Sequence, residues 1–590
     1  MADASESLVR ARELAAAGRA GQARTILLRA LQKDPANAEL SLTLGEILAK
    51  AGESTQARYY AENALSRRPD DAAVLAGAAN VLAWAGAGDE GIAAFRRALA
   101  LRPEMLDAWI GLCGLLVLCE RAGELLDAAQ RGLERFPDEP RLVFFLSQAL
   151  RRTGEPERAM EALRRAAAVH PAHDSLALEL AFTGNYADGV SRAESFAAHR
   201  RLGALLERRH GPPLQPPPPQ DPSRRLQIGL LSPDLRRHSV GWFALPLVEH
   251  LNRDEFDVTA YYSHPAEDDA TKRFRALIPR WRDVASMSDE EALRTIVGDR
   301  IDILIDLAGL TSGHRPALLV RKPAPLIVTY LGYPNTLGLG AVGYRFVDSL
   351  TDPPESSDPW AVERLIRLDP CFLCYAPPHD APEPSTARID RGAAPVFGSF
   401  NAMAKYSDAA LSLWARVLQA VPGSRLILKN IDLGTPFVAS RTRDRLAAMG
   451  VAPERIEMLG FEKEQRSHLS AYDMIDIALD TLPYHGTTTT CESLLMGVPV
   501  VTLVGDRHAS RVGLSLFSAV GLPQLAVRSP DEFVRIASSL VSDRAALASL
   551  RKSLRARLLS SPLCDAASHA GRFGAELRGI WRAACRAPSR

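Results

Sequence analysis

The sequence contains no apolar run of the ~18 residues that a membrane-spanning helix needs. Its first residues, MADASESLVRARELAAAG, carry charge where a signal peptide would be apolar, so a cytoplasmic protein without membrane partners is expected. Cysteine is sparse: seven thiols, at positions 113, 119, 371, 374, 491, 564 and 585, are too scattered to form a disulfide framework. Cys371-Phe-Leu-Cys374 is the only C-x-x-C pair, and with no second pair or histidine cluster to complete a zinc site, no metal is expected. An excess of either charge is missing too. The 71 basic and 70 acidic side chains leave a net charge of +1, which supplies no overall basic field for a nucleic-acid backbone. Hydrophobic residues make up 47%, enough for large cores, and a chain of 590 residues predicts about three to five domains.

What is present, first, is repetition. Pro35, Pro69, Pro103, Pro137 and Pro171 follow one another at 34-residue intervals. Ala30, Ala64, Ala98, Gly132 and Ala166 keep a fixed phase before them, as do Gly18, Gly52, Gly86 and Gly154, and Glu120 alone breaks the glycine series. The small residues let antiparallel helices approach, the glycines serve the turn between them, and each proline follows the end of a second helix. Residues 1–175 therefore resemble a tetratricopeptide α-solenoid of five helix pairs, whose concave face commonly carries peptide or protein. Such an array also serves as a scaffold or dimerisation module, so a homodimer is one expected assembly. Residues 176–225 read as a helical and then proline-rich connector, because HGPPLQPPPPQDPSRR suits neither helix nor central strand.

From Leu226 the pattern changes to short β-branched runs: LQIGLLS, FDVTAYYS, IDILIDLAG and LIVTYLG, separated by helical stretches such as ATKRFRALIPRW and DEEALRTIVGDR. The alternation restarts at APVFGSF and continues through SRLILKN, RIEMLG, IDIALD, PVVTLVG and QLAVR. Two doubly wound parallel sheets are expected, residues 226–388 and 389–590, giving an overall class of α plus α/β. Ligands of such sheets sit beyond the carboxyl ends of the strands, so the loops there hold the candidates. One loop, LSPDLRRHSVGWF, carries Asp234 and His238. A second holds Gly309 and His314, and a third, LGYPNTLGLGAVGYRFVD, holds Tyr333 and Pro334. In the second half, SFNAMAKYS carries Asn401 and Lys405, an ammonium suited to phosphate charge. LDTLPYHGTTTTCESLLMGVPVVT places His485 and Gly486 in a tight turn, then Thr487, Thr488 and Thr489 at a helix start, with Glu492 one turn in. Threonine hydroxyls, unpaired backbone N–H groups and the helix dipole are expected to converge there on a diphosphate.

These strings, in this order and behind tetratricopeptide repeats, resemble the O-GlcNAc transferase and SPINDLY family of glycosyltransferases. The resemblance implies a GT-B fold of two Rossmann-like domains with a nucleotide-sugar on the second and the acceptor entering between them. It implies that His238 is the active-site histidine, Lys405 the lysine on the donor diphosphate and His468 a contact to the nucleotide base. Thr488 and Thr489 correspond to the paired phosphate threonines, and Glu492 to the acidic residue on the ribose. Departures from the animal enzymes fall around the donor: Ala402 stands for glutamine, Gln465 for lysine, Thr487 for histidine and Glu492 for aspartate. The asparagine ladder of the animal repeats is missing from ELSLTLGEIL and DAWIGLCGLL. The implied reaction is inverting, metal-independent transfer of N-acetylglucosamine from UDP-GlcNAc to Ser or Thr of a protein, with no resident cofactor. GDP-fucose as donor, and a non-catalytic repeat scaffold with a nucleotide-sugar-binding module, are the alternatives. The proton acceptor stays open among His238, Asp234, Asp306 and a donor phosphate oxygen.

Overall fold

The computed structural model describes residues 2–586, with side chains from Ala4 onward. It divides into two compact units: the chain to Leu150 with Ala168–His170, and Arg151–Ala167 with everything from Pro171. The first unit is helical. Helix pairs run Ala2–Ala16 with Ala20–Lys33, Ala38–Lys50 with Ser54–Arg67, Ala72–Trp84 with Gly88–Leu101, and Leu106–Leu118 with Ala122–Arg135. Helices Pro140–Arg152 and Pro156–Val169 follow in the chain, and the division between the units falls within this stretch. The phased alanines are buried between helices, Ala64 and Ala98 completely. The turn glycines all take positive φ, and Glu120 takes the same left-handed conformation at φ 57°, so the turn geometry persists where the glycine is lost.

The second unit contains two parallel sheets. The first has seven strands: β1 (Leu226–Ser232), β2 (Phe256–Tyr262), β3 (Arg280–Asp283), β4 (Ile303–Asp306), β5 (Leu326–Thr329), β6 (Tyr344–Val347) and β7 (Arg364–Arg367), in the order β3-β2-β1-β4-β5-β6-β7. The second has six: β8 (Val396–Ser399), β9 (Arg425–Lys429), β10 (Ile456–Leu459), β11 (Ile477–Leu479), β12 (Val500–Leu503) and β13 (Ala526–Val527), in the order β10-β9-β8-β11-β12-β13. Both orders reverse direction after their first strand, between β1 and β4 and between β8 and β11. These are the switch points where open parallel sheets bind ligands, and they lie beside the loops that carry His238, Gly309, Lys405 and Thr488.

Three strands lie outside the β-branched runs. ATKRFRALIPRW is helical only as far as Leu277, and Arg280–Asp283 pairs with β2 as an exposed edge strand. The glycine-rich stretch that holds Tyr333 ends in strand rather than turn, because Tyr344–Val347 pairs with β5 and β7. β7 itself, RLIR, is short and has only two buried residues, too weak an alternation to stand out.

The connector is built into this unit. Helix Arg192–His210 lies against the loop after β5 so closely that a Cβ on Gly203 would fall 1.9 Å from the Gly338 carbonyl oxygen. The proline segment is pinned by Leu214 N–H donating to the Arg321 carbonyl at 2.8 Å and by an ion pair of Arg224 with Asp302. At the other end, helix Ala566–Arg586 returns to the first sheet. Phe573 packs on Phe346 and Tyr330, Trp581 Nε1 donates to the Asp221 carbonyl, and Arg578 donates to the Arg224 carbonyl. Full burial of Phe573 contributes ~1.5–3 kcal/mol. The described part of the tail thus packs on the first half, and residues 587–590 lie outside the described residues.

Candidate functional site

At the second sheet's switch point, the loop after β8 and the loop after β11 are tied together. Lys405 Nζ donates to the His485 carbonyl at 2.6 Å and lies 4.1 Å from the centre of the Tyr484 ring. Burial lowers its pKa to about 8, against the opposing pull of Asp480. Asp480 in turn holds the turn that follows, its Oδ1 accepting Gly486 N–H at 2.7 Å and its Oδ2 accepting the Thr502 hydroxyl at 2.6 Å.

The helix Thr488–Leu495 then begins without any side-chain cap. Its threonine hydroxyls do not all converge on one point. Thr489 donates to Asn401 Oδ1 at 3.1 Å, and Thr490 donates back to the Gly486 carbonyl at 3.1 Å. The Thr488 hydroxyl is out of contact with solvent and has no hydrogen-bond partner. An uncapped helix start, a partnerless buried hydroxyl and the ammonium of Lys405 are groups of the kind that bind phosphate, which makes this a candidate site.

His485 has no part in that site through its ring. Nδ1 accepts Gly513 N–H at 3.2 Å, which places the ring proton on Nε2, 2.9 Å from the Leu503 carbonyl. The ring is wholly buried, and burial lowers its pKa, so it is a neutral strut and only its main-chain oxygen reaches Lys405.

His468 and Glu492 meet from two different helices. His468 Nε2 is 3.1 Å from Glu492 Oε2 and its Nδ1 is 2.7 Å from Lys429 Nζ, while the Tyr472 hydroxyl donates to the same Glu492 oxygen at 3.4 Å. Lys429 and Tyr472 complete this polar cluster, and the sequence alone did not single them out. Lys429 ends the apolar strand β9, and Tyr472 lies in a short mixed segment between Leu469 and Ile475 with no motif around it.

On the first sheet, His238 stands at the N-terminus of helix Ser239–His250. Its Nδ1 accepts Val240 N–H at 3.2 Å and lies 3.5 Å from Asp234 Oδ1. Burial lowers the imidazole pKa while Asp234 opposes it, and burial raises the pKa of Asp234. With Nδ1 accepting, the proton rests on Nε2, so the ring presents a donor away from the helix. Asp306 is spent locally, accepting Gly309 N–H at 2.8 Å and the Thr329 hydroxyl at 3.2 Å, and burial raises its pKa to about 6. Gly309 takes φ +61° and packs against Tyr333, where a Cβ would come within 2.3 Å. His314 Nδ1 is 2.7 Å from the Thr311 carbonyl, and burial lowers its pKa. The Tyr333 hydroxyl faces the connector, bonded to Asn185 Nδ2 at 2.8 Å and His199 Nε2 at 2.7 Å. Pro334 lines a separate pocket beside it.

A ladder of rings links the halves: Tyr333 stacks on Phe182, Phe182 packs at a tilt against Tyr186, and Tyr186 packs at a tilt against Tyr484 beneath Lys405. Phe182 and Tyr186 come from the connector, so this segment takes part in shaping the site.

Two Rossmann-like parallel sheets in one unit, behind helical repeats, define the GT-B class of glycosyltransferase fold. Residues 163–374 and 389–572 match glycosyl transferase family 41, and residues 14–74 and 140–183 match tetratricopeptide repeats. The chain belongs to glycosyl transferase family 41. It is 40% identical over 406 residues to the Petunia hybrida "Probable UDP-N-acetylglucosamine--peptide N-acetylglucosaminyltransferase SPINDLY", an alignment covering 68% of this chain and 43% of that protein. It is 31% identical over 353 residues to the Arabidopsis thaliana protein of the same description named SEC, covering 58% of this chain and 36% of that one. The match thus spans less than half the length of these curated relatives. A solved O-GlcNAc transferase mutant from Thermobaculum terrenum superposes with a TM-score of 0.64 at 32% identity, covering 99% of this chain and 98% of that one.

Proposed function

We propose that the chain transfers N-acetylglucosamine from UDP-GlcNAc to Ser or Thr hydroxyls of proteins, inverting the anomeric carbon in a single displacement. The observation that carries this reading is Lys405, bonded to the His485 carbonyl just ahead of the uncapped helix Thr488–Leu495, whose Thr488 hydroxyl is buried without a partner. Charge growing on the leaving diphosphate is met there by an ammonium, a helix dipole and fixed N–H groups, so a resident metal is not required for that task. The acceptor hydroxyl attacks from the first-sheet side. His238 then orients acceptor or donor through Nε2, and the proton of the acceptor passes to His238, to a neighbouring carboxylate or to a donor phosphate oxygen. The His468–Glu492–Lys429 cluster reads the nucleoside, and the repeats present the protein acceptor. Incubation with UDP-GlcNAc and a bacterial lysate, followed by intact-protein mass spectrometry, tests this. Added N-acetylhexosamine supports it, and neither modification nor slow donor hydrolysis would leave only a scaffold.

O-fucosylation from GDP-fucose is the alternative donor reading and rests on the resemblance to the SPINDLY branch; the SPINDLY and SEC relatives both carry names that specify UDP-N-acetylglucosamine. The melting temperature with UDP or GDP at equal concentration separates the two, because a ligand of the folded state alone raises it.

A further inference from the structure

Beside the transferase site lies a pocket that the proposed reaction does not use. Its walls come from three segments of the second unit: Asn185, Arg192 and Ser195 on the connector, Asn335 and Arg345 on the first sheet, and Arg507 with His508 after β12. Alternation along β6 sends Phe346 to the C-terminal helix and Arg345 to the opposite face, into this pocket. Arg345 is only 4% exposed, and its Nη2, shut off from solvent, has no hydrogen-bond partner. Asp352 and Glu363 feel its charge through space, yet each carboxylate is bonded elsewhere, Asp352 to His508 and Glu363 to the Thr336 hydroxyl and Leu337 N–H.

Two more guanidinium groups reach the pocket. Arg192 donates to the Ser356 carbonyl and the Ser357 hydroxyl, and Arg507 to the Gly184 carbonyl. Those partners are neutral. Three arginines line the pocket with the single carboxylate of Asp352, and that carboxylate is already bonded to His508. Asn335 Nδ2 donates to Asn185 Oδ1 and Ser195 Oγ, which holds the polar wall rigid. The cavity leaves about 30 Å³ for the centres of water-sized guests. One water needs about 10–15 Å³ on that measure, so the space suits two or three waters or one small anion. A buried guanidinium nitrogen without a hydrogen-bond acceptor is costly, and an oxyanion that accepts from its planar fork removes that cost.

We propose that this pocket binds a small oxyanion, a phosphoryl or carboxylate group, through Arg345 with Arg192 and Arg507 at its rim, separately from the Lys405 phosphate site. The group is either a free ion or one carried on the protein acceptor.

The test measures the melting temperature of the full chain in sodium phosphate against sodium chloride of equal ionic strength, and again with sodium acetate. It compares wild type, Arg345→Met, and Lys405→Met, which disables the other phosphate site. The expected result is a rise of a few degrees with phosphate or acetate in wild type and Lys405→Met alike, abolished in Arg345→Met. A rise that survives Arg345→Met but vanishes in Lys405→Met would overturn the proposal, as would no rise with either anion. Should Arg345→Met fail to melt cooperatively in chloride, Arg507→Gln supplies the same comparison from the rim, with at least a tenfold weaker anion effect expected. With an acceptor in hand, phosphate that slows transfer without slowing donor hydrolysis marks a group on the acceptor, and phosphate that slows neither marks a free ion.

Discussion

Lys405 Nζ is bonded to the carbonyl oxygen of His485, 80 positions later in the chain, at 2.6 Å. That bond aims the only ammonium of the loop after β8 toward the start of the threonine helix, and it makes the main chain of His485, rather than its ring, part of the site.

Replacing this ammonium is expected to cost turnover and little stability. Lys405→Met keeps a long apolar stem over Tyr484 while removing the charge, and donor turnover should fall by roughly 10²–10³-fold, as for loss of one transition-state donor. Steady-state rates of donor hydrolysis check this, with circular dichroism confirming an unchanged fold. Wild-type rates in the variant would remove Lys405 from the mechanism.

The same group sets a pH limit. Its pKa is lowered to about 8, so the free enzyme loses the ammonium as pH rises through that value. The kcat/KM profile should therefore fall on its basic side with an apparent pKa near 8. A bound diphosphate favours the charged form, so the corresponding fall in kcat should lie at higher pH. A basic limb that persists unchanged in Lys405→Met would assign it to another residue.

Asp234 and Val240 compete for one nitrogen of His238. In Asp234→Asn the carboxylate that favours a proton on Nδ1 is gone, so the Nε2–H tautomer should prevail and the imidazole pKa should fall further. Titration of the His238 ring by NMR would read both effects. A pKa that rises on substitution contradicts the arrangement.

Nucleotide affinity should depend on the Glu492 cluster. Glu492→Gln leaves the His468 and Tyr472 contacts in reach but removes the charge that balances Lys429, and UDP or GDP binding is expected to weaken about tenfold, ~1.4 kcal/mol. Calorimetry with each nucleotide measures it, and an unchanged Kd for both would detach Glu492 from the ribose.

The seam between connector and first sheet offers a stability test. Gly203→Ala puts a Cβ against the Gly338 main chain, where φ is +73° and no flexible side chain yields, so a loss of ~1–3 kcal/mol is expected in denaturant unfolding. A neutral result would show that the helix can slide.

Periodic features were legible in advance because they are local. The 34-residue repeat, the strand–helix alternation and the threonine helix start each follow from which neighbours a residue has in the chain, and the first and last helices of the repeats fall where the prolines and glycines place them. β3, β6 and β7 escaped because edge and short strands carry little hydrophobic alternation. Family 41 membership was also visible in the ordered strings, and the match over residues 163–374 and 389–572 bears that out.

Only the tertiary structure decided how the site residues divide their work. Thr489 is held by Asn401, 88 residues away, whereas the Thr488 hydroxyl is buried without a partner. His485 turns inward to Gly513 and Leu503, Tyr333 turns to His199 and Asn185, and Arg345 is left facing a pocket whose walls come from three distant segments. Sequence determines which chemical groups are available and how each short segment curls. Which donors find acceptors depends on long-range packing, and among the buried polar groups that packing leaves partnerless in this protein, Thr488 and Arg345 are two that sit at candidate ligand sites.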